Sequence, residues 1–275
     1  MHKPVCVVVG VGPWNGAAIA DRFTTEGYVV ALLARTTKFT DDLARKLDNA
    51  KAYACDVTSE SDVASTFDRI RTELGEVEVL VYNAGSSVWG DVESITAADF
   101  ESTWRVNAWG ALLVAKQVIQ AMKRTAKGSI ILIGATASRR GVARTGAFAP
   151  AKAAQRSLAE SMARSLWPAG IHVALVIIDG MVDLERTRHV MPDKPDSFYV
   201  KPADVAATVH WLSQQPSSAW GPAGGMHLTA EDIVVEIVDP QGGVLPHGES
   251  GESKSQYNTK NIGTTLPKKI YLALR

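Results

Sequence analysis

Short apolar runs alternate along this chain with segments of helical period, and that alternation constrains the fold more than any other feature. The runs are Val5–Val9, Tyr28–Ala34, Lys51–Cys55, Val77–Tyr82, Ser129–Ile133, Ile171–Ile178 and Ile233–Val238. Most are apolar without a break, the mark of strands covered on both faces. Helical segments separate them: Asn15 to Glu26, Asp41 to Leu47, Thr58-Ser59 to Leu74, Thr96 to Lys123, Phe148 to Trp167, and one opening at Pro202. Glycine and proline punctuate their ends, as at Gly27, Pro168 and Gly170. Thr96 with Asp99 has the spacing of a capping box. The pattern predicts an α/β protein: a single doubly wound Rossmann-type domain with a seven-stranded parallel sheet flanked by helices, spanning residues 1–245. Residues 246–275 are rich in Gly, Ser, Thr, Asn, Lys and Glu and read as a mobile polar tail. The alternative is that Ile270–Leu274 docks on a partner subunit.

Composition narrows the function classes. At 46% hydrophobic and 21% charged, the chain can bury a core. Its 29 basic and 29 acidic side chains cancel, which argues against binding to nucleic acid or to an acidic membrane surface. The two cysteines, Cys6 and Cys55, make no disulfide framework, and no His, Asp or Glu spacing suggests a metal site. No apolar stretch has the length of a membrane span, and Val5–Val9 is too short for a signal peptide. A reducing, cytoplasmic setting is expected.

Gly10-Val11-Gly12-Pro13-Trp14-Asn15-Gly16 joins the first strand to the first helix. Glycines in such a turn let backbone approach a pyrophosphate, and the helix N-terminus offers free N–H groups to it. The plainer reading is a tight turn that needs glycine for shape; its place after the first strand of an alternating chain favours nucleotide binding.

On these residues the chain resembles the short-chain dehydrogenase/reductase family from about Val5 to Val244. Gly10 and Gly16 match the first and last glycines of the family's Gly-x-x-x-Gly-x-Gly turn, and Trp14 takes the middle one. An indole there either covers the cofactor or weakens its binding. Asp56-Val57 stands where the family holds the adenine ring, and Asn83-Ala84-Gly85 matches the Asn-Ala-Gly signature lining the cofactor. The resemblance implies that Gly10, Gly12, Trp14, Asn15, Gly16, Arg35, Asp56, Val57, Asn83, Ala84, Gly85 and Lys152 hold a dinucleotide. An acidic residue ending the second strand selects NAD(H). Ala34-Arg35 stands there instead, and a guanidinium pairs with a 2′-phosphate, so NADP(H) is expected over NAD(H), with Lys38 a weaker candidate.

The family's chemistry uses a tyrosine as proton donor, a lysine four residues later, a serine thirteen residues upstream and an asparagine on a helix. Here the lysine is Lys152 and the asparagine Asn107, but the tyrosine position is Phe148 and the serine position Ala135. Phenylalanine has no proton to give. Thr136 and Ser138 are the nearby hydroxyls; small hydroxyls after a strand are equally often turn chemistry. Arg139, Arg140 and Arg144 crowd the same loop, either as a site for an anionic substrate group or as a solvated face. Asp179-Gly180 replaces the family's Pro-Gly after the sixth strand, and His189 or Tyr199 from the following segment is a substitute proton donor to consider.

The expected function is an NADP(H)-dependent oxidoreductase acting on a small carbonyl, enone or imine with a non-standard proton donor. The alternative is a non-catalytic dinucleotide-binding regulator or structural subunit. The expected partners are a small-molecule substrate and a second copy of the chain, in a homodimer or homotetramer, with no nucleic acid and no membrane.

Overall fold

The structure, a computed structural model, describes residues 3–217, 220, 234–237 and 270–273. Six parallel strands form the central sheet: β1 (Val5–Val9), β2 (Val29–Ala34), β3 (Ala50–Ala54), β4 (Val77–Tyr82), β5 (Gly128–Ala135) and β6 (Ile171–Ile178). Their order is β3-β2-β1-β4-β5-β6. The chain therefore reverses direction of travel between β1 and β4, and the carboxyl ends of those strands open a crevice.

Side chains alternate through the sheet into two cores. Val5, Val7 and Val9 of β1 face one side, where they meet Phe67 and Ile70 of α3 (Glu60–Glu73). Cys6 and Val8 face the other, with Ile19 and Phe23 of α1 (Asn15–Thr25). Between them in sequence lies the short α2 (Lys38–Ala44). The first core also takes α5 (Gly110–Thr125) and α6 (Phe148–Leu166); the second takes α8 (Pro202–Ser213). Helices on both faces explain why the strands carry apolar runs rather than alternation.

The region expected as one helix from Thr96 is broken. α4 (Ala97–Trp104) opens with the expected capping box of Thr96 and Asp99. A π-helical turn, Arg105–Trp109, then precedes α5, and the Gly110 N–H reaches back to the Arg105 carbonyl. Tyr82 and Asn107 account for the widening. Tyr82 Oη donates to the Val106 carbonyl at 2.5 Å, and Asn107 Nδ2 donates to that of Thr103 at 2.8 Å. Side chains inserted into the hydrogen-bond ladder open a helix in this way. Gly110 makes room: a Cβ there would stand 2.5 Å from the tyrosine oxygen.

After β6 come the two-residue strands β7 (Met181–Val182) and β8 (Tyr199–Val200), paired with each other, and α7 (Glu185–Val190) between them. The expected seventh strand is a correction. Within Ile233–Val238, β9 (Val234–Ile237) forms, but it pairs antiparallel with β10 (Ile270–Ala273) and adds nothing to the main sheet, which has six strands. A β-branched run announces a strand without naming its partner, and here the partner is a second short run that no turn signal links to the first. Residues 246–269 of the expected tail lie outside the described residues.

Candidate functional site

A cleft of about 1000 Å³ lies at the carboxyl ends of β1, β2, β3 and β4. The turn after β1 supplies Gly10, Gly12, Trp14, Asn15 and Gly16; β2 ends in it with Arg35. Asp56 and Val57 follow β3 into it, and Asn83, Ala84 and Gly85 follow β4. Every residue expected to hold a dinucleotide lines this one cleft except Lys152, which stands just behind it. Sequence reasoning missed Thr36, Thr58, Ser86, Ser102, Arg105 and Leu184, also on its walls. Ser102 comes from α4 and Arg105 from the π-helical turn, and the others from turns and loops, which carry no apolar period to betray them.

The glycines divide by role. Gly10 has a φ of +84°, and a Cβ there would meet backbone of Ala84 at 2.4 Å. Gly16 would place a Cβ 2.7 Å from the Val11 Cα. Both are required by the protein's own packing. Gly12 has nothing within 4 Å of its missing Cβ, so it keeps open space in the turn. Asn83 Nδ2 donates to the Gly10 carbonyl at 2.7 Å, tying the β4 end to the turn. Trp14, expected in the middle glycine's place, is 43% exposed on the cleft wall.

Arg35 is exposed at the end of β2, and its charge helps to hold the Asp56 carboxyl below its ordinary value. The larger causes are the Thr58 backbone N–H and hydroxyl, which donate to Asp56 Oδ1 at 2.9 and 2.7 Å. Among the described residues no hydrogen bond or ion pair occupies the Arg35 guanidinium.

Lys152 and Asn107 meet behind Gly85. A Cβ on that glycine would lie 3.5 Å from Asn107 Oδ1 and 3.8 Å from Lys152 Nζ. Asn107 is fully buried; Nδ2 donates to the Ser86 and Thr103 carbonyls, while Oδ1 has no partner among the described residues. Lys152 Nζ donates to the Ile133 carbonyl at 2.9 Å and to Gln155 Oε1 at 3.0 Å. Burial lowers its pKa from 10.5 to about 8. No carboxylate is bonded to it, so desolvation is not offset.

Phe148 opens α6, one turn before Lys152, and is half-buried against Trp89, their ring centres 5.6 Å apart. The loop carrying Trp89 is fastened there: the Gly90 N–H donates to the Arg144 carbonyl, and the Gly146 N–H to that of Gly90. Ala135 ends β5. Thr136 Oγ1 donates to Asp179 Oδ1 at 2.5 Å. Ser138 is buried; its hydroxyl has no partner among the described residues, and its carbonyl accepts from Arg156 Nε at 3.1 Å. The two hydroxyls thus part company, Thr136 towards the end of β6 and Ser138 into the packing against α6.

Of the two substitute donors considered, Tyr199 is withdrawn from the role, while His189 keeps its plainer reading as an exposed histidine, here on α7. Tyr199 is buried, spends its hydroxyl on the Met191 carbonyl at 2.5 Å, and carries the Arg188 guanidinium over its ring. Arg188 and Lys201 close on Asp183, whose carboxyl they hold well below the usual carboxylate range. This network braces α7 against β8. Among the described residues no group of three or more His, Cys, Asp or Glu could hold a metal, and no helix is long and apolar enough to cross a membrane.

Comparison with known proteins agrees with this geometry. A family model described as short chain dehydrogenase matches residues 4–195. The 3-oxoacyl-[acyl-carrier-protein] reductase MabA of Mycobacterium tuberculosis (strain ATCC 25618 / H37Rv) is 30% identical over 220 residues, covering 77% of this chain and 86% of that protein. A 3-oxoacyl-[acyl-carrier-protein] reductase of Homo sapiens is 27% identical over 77% of this chain and 92% of its own length. A crystal structure of a metagenomic short-chain oxidoreductase in complex with NADP superposes with a TM-score of 0.68 at 25% identity, covering 82% of this chain and 95% of that one. On the family match over residues 4–195 and the 30% identity with the mycobacterial reductase, this chain belongs to the short-chain dehydrogenase family.

Proposed function

We propose that this protein is an NADP(H)-dependent oxidoreductase acting on a small carbonyl, enone or imine, with a proton donor other than the family's tyrosine. One observation carries the reading: eleven residues expected to hold a dinucleotide line a single cleft, with Lys152 and Asn107 together behind its Gly85 wall. The residues suit the cofactor. Gly12 leaves the turn open, the buried Asn15 Oδ1 and Asn107 Oδ1 lack partners among the described residues, and Arg35 has its guanidinium free for a 2′-phosphate. The NADP bound in the metagenomic relative supports the same preference.

Bound in the cleft, the cofactor supplies a hydride. Asn83 and Gly10 fix the turn that receives it, and Lys152 presents an ammonium at the Gly85 end, where a ribose hydroxyl would accept from it. Phe148 and Trp89 add an apolar ring contact one turn before Lys152. Neither Phe148 nor Ala135 carries a proton to donate, so catalysis rests on holding hydride donor and acceptor in geometry.

The missing hydroxyls also favour a second reading, a dinucleotide-binding regulator without turnover. Titration of the protein with NADPH and NADH, followed by ketone, enone and imine panels, separates the two. Tight NADPH binding with turnover supports the enzyme; binding without turnover of any acceptor supports the regulator; no binding rejects both. The reading takes the chain as a homodimer or homotetramer, with Phe100 and Trp104 of α4 offering exposed apolar area, and light scattering on the purified protein measures this.

A further inference from the structure

Behind the Gly85 wall of the cleft lies a polar pair on α6, Lys152 nearly buried and Gln155 wholly so. Lys152 Nζ donates to Gln155 Oε1 at 3.0 Å and to the Ile133 carbonyl at 2.9 Å. An ammonium has three N–H donors, so the protein takes up two and leaves one. Nζ stands 3.8 Å from the point where a Cβ on Gly85 would be, and Gly85 lines the cleft. The remaining donor therefore sits on a nitrogen just behind the cleft wall.

Packing gives no reason for an amide at position 155. Ala159, Met162, Ala163 and Leu166 follow it on the buried face of α6. Gln155 Nε2 is buried without a partner among the described residues. An unpaired buried donor is destabilising, and an apolar side chain of similar volume would leave none. Among the described residues the Gln155 side chain makes one hydrogen bond, and that is with Lys152.

The titratable groups on the elements around the pair are engaged elsewhere. On α6 itself Arg156 is bound to Glu160. Asp99 of α4 caps its own helix at Thr96, and Arg105 of the π-helical turn is bound to Glu101. Tyr82 of β4 donates to the Val106 carbonyl, His172 of β6 is bonded to the Leu212 carbonyl, and Asp179 accepts from Thr136. On the loop after β5, Arg139 has an interaction of its own and Arg140 is exposed. Burial is what lowers the Lys152 pKa to about 8; none of these charges contributes.

We propose that Gln155 is the positioning residue for Lys152: its Oε1 and the Ile133 carbonyl fix the ammonium so that the third N–H is available at Gly85 for a hydroxyl of the dinucleotide. The proposal rests on the dinucleotide-binding reading above and adds a residue to it. A charged donor makes the stronger hydrogen bond, so binding is tightest while Lys152 is protonated. Affinity therefore falls as pH rises through the Lys152 value, and the side chain at 155 sets where that fall occurs. Gln155→Leu takes an acceptor from the ammonium and moves the fall to lower pH. Gln155→Glu sets a carboxylate against the ammonium and moves it to higher pH.

The test titrates the full-length protein with NADPH by fluorescence across the pH range that brackets the Lys152 value. Wild type should lose affinity through a midpoint near pH 8. Lys152→Met should bind weakly and show no such midpoint, which assigns the titration to this lysine. Gln155→Leu should raise the Kd at neutral pH about fivefold or more and lower the midpoint by about half a pH unit or more. Gln155→Glu, which keeps the acceptor, should hold the neutral-pH Kd within about twofold and raise the midpoint by about one pH unit or more. A role in packing alone would weaken binding equally at every pH. One midpoint shared by wild type, Gln155→Leu and Gln155→Glu overturns the proposal, and so does a wild-type Kd that is independent of pH; both outcomes leave the dinucleotide reading standing. Where circular dichroism shows the leucine variant unfolded, the glutamate variant decides by itself. Wild type that binds no NADPH at any pH rejects the dinucleotide reading, and this proposal with it.

Discussion

Gln155 Oε1 accepts a hydrogen bond from Lys152 Nζ at 3.0 Å, one turn apart on α6, with the glutamine fully buried and the lysine nearly so. Lys152 is anchored by a neutral amide and the Ile133 carbonyl rather than by a charge. Burial without a counter-ion makes Lys152 costly to fold around while it is protonated.

That cost has a pH signature. The native pKa of Lys152 is about 8, below the ordinary 10.5, so between these values the unfolded chain binds more protons than the native one. Stability contributed by this site therefore rises with pH across that window, by about 3 kcal/mol in all. Lys152→Met lacks the titration. Urea unfolding at pH 7.5, 9 and 10.5 should show wild type gaining on the variant by that amount. Parallel pH profiles would mean that the ammonium is solvated and the burial wrongly described.

His172 makes the opposite end of the pH range visible. It is buried on β6, its Nδ1 is 3.1 Å from the Leu212 carbonyl, and its ring stacks on Trp220. Burial pushes its pKa from 6.5 down to about 4. The neutral ring's contribution is complete above pH 6.5 and is lost as pH falls towards 4, about 3 kcal/mol across the window. His172→Gln should flatten the acid limb of the stability curve between those values. An unchanged limb would assign acid unfolding to other groups.

Arg35→Ala should weaken NADPH binding by about 10-fold or more and NADH binding hardly at all, because a charge-assisted pair with the 2′-phosphate is lost only for NADPH. Calorimetric titration of both cofactors decides it. An equal loss for both would show that Arg35 supports the cleft without selecting the dinucleotide.

Phe148→Tyr combined with Ala135→Ser should raise ketone reduction by about 100-fold, the usual worth of a general acid. The new phenol would stand one turn from Lys152 on α6. Steady-state ketone turnover by wild type, the single variants and the double variant measures the gain. Strong wild-type turnover with no gain in the double variant would reveal a donor already present.

Much of the site was readable because its signals are local. The turn Gly10–Gly16 and the Asn83-Ala84-Gly85 corner follow strands whose apolar runs are unmistakable, so their positions at the strand ends follow from chain order alone. Lys152 and Phe148 sit four residues apart and fall on one helix face by geometry. What the sequence hid depends on distant contacts. Thr136 and Asp179 are 43 residues apart and meet through the β5–β6 register. Tyr199 looked available until the fold buried its hydroxyl on Met191. The seventh strand failed for the same reason: Val234–Ile237 is a strand, but pairing is decided by which edge it reaches.

The π-helical turn at Arg105–Trp109 has a consequence for insertions and deletions. A π turn holds one residue more than an α turn, so it rotates everything after it by about 100° around the helix axis. The apolar stripe of α5, including Leu113, Val114 and Val118, meets the sheet only with that extra residue in place. Deleting one residue between Arg105 and Trp109 would regularise the helix and turn Leu113 and Val118 out of phase with their neighbours, while Asn107 would leave the Ser86 carbonyl. The angular bookkeeping of a 16-residue helix and the aim of a single buried amide are set at the same five residues.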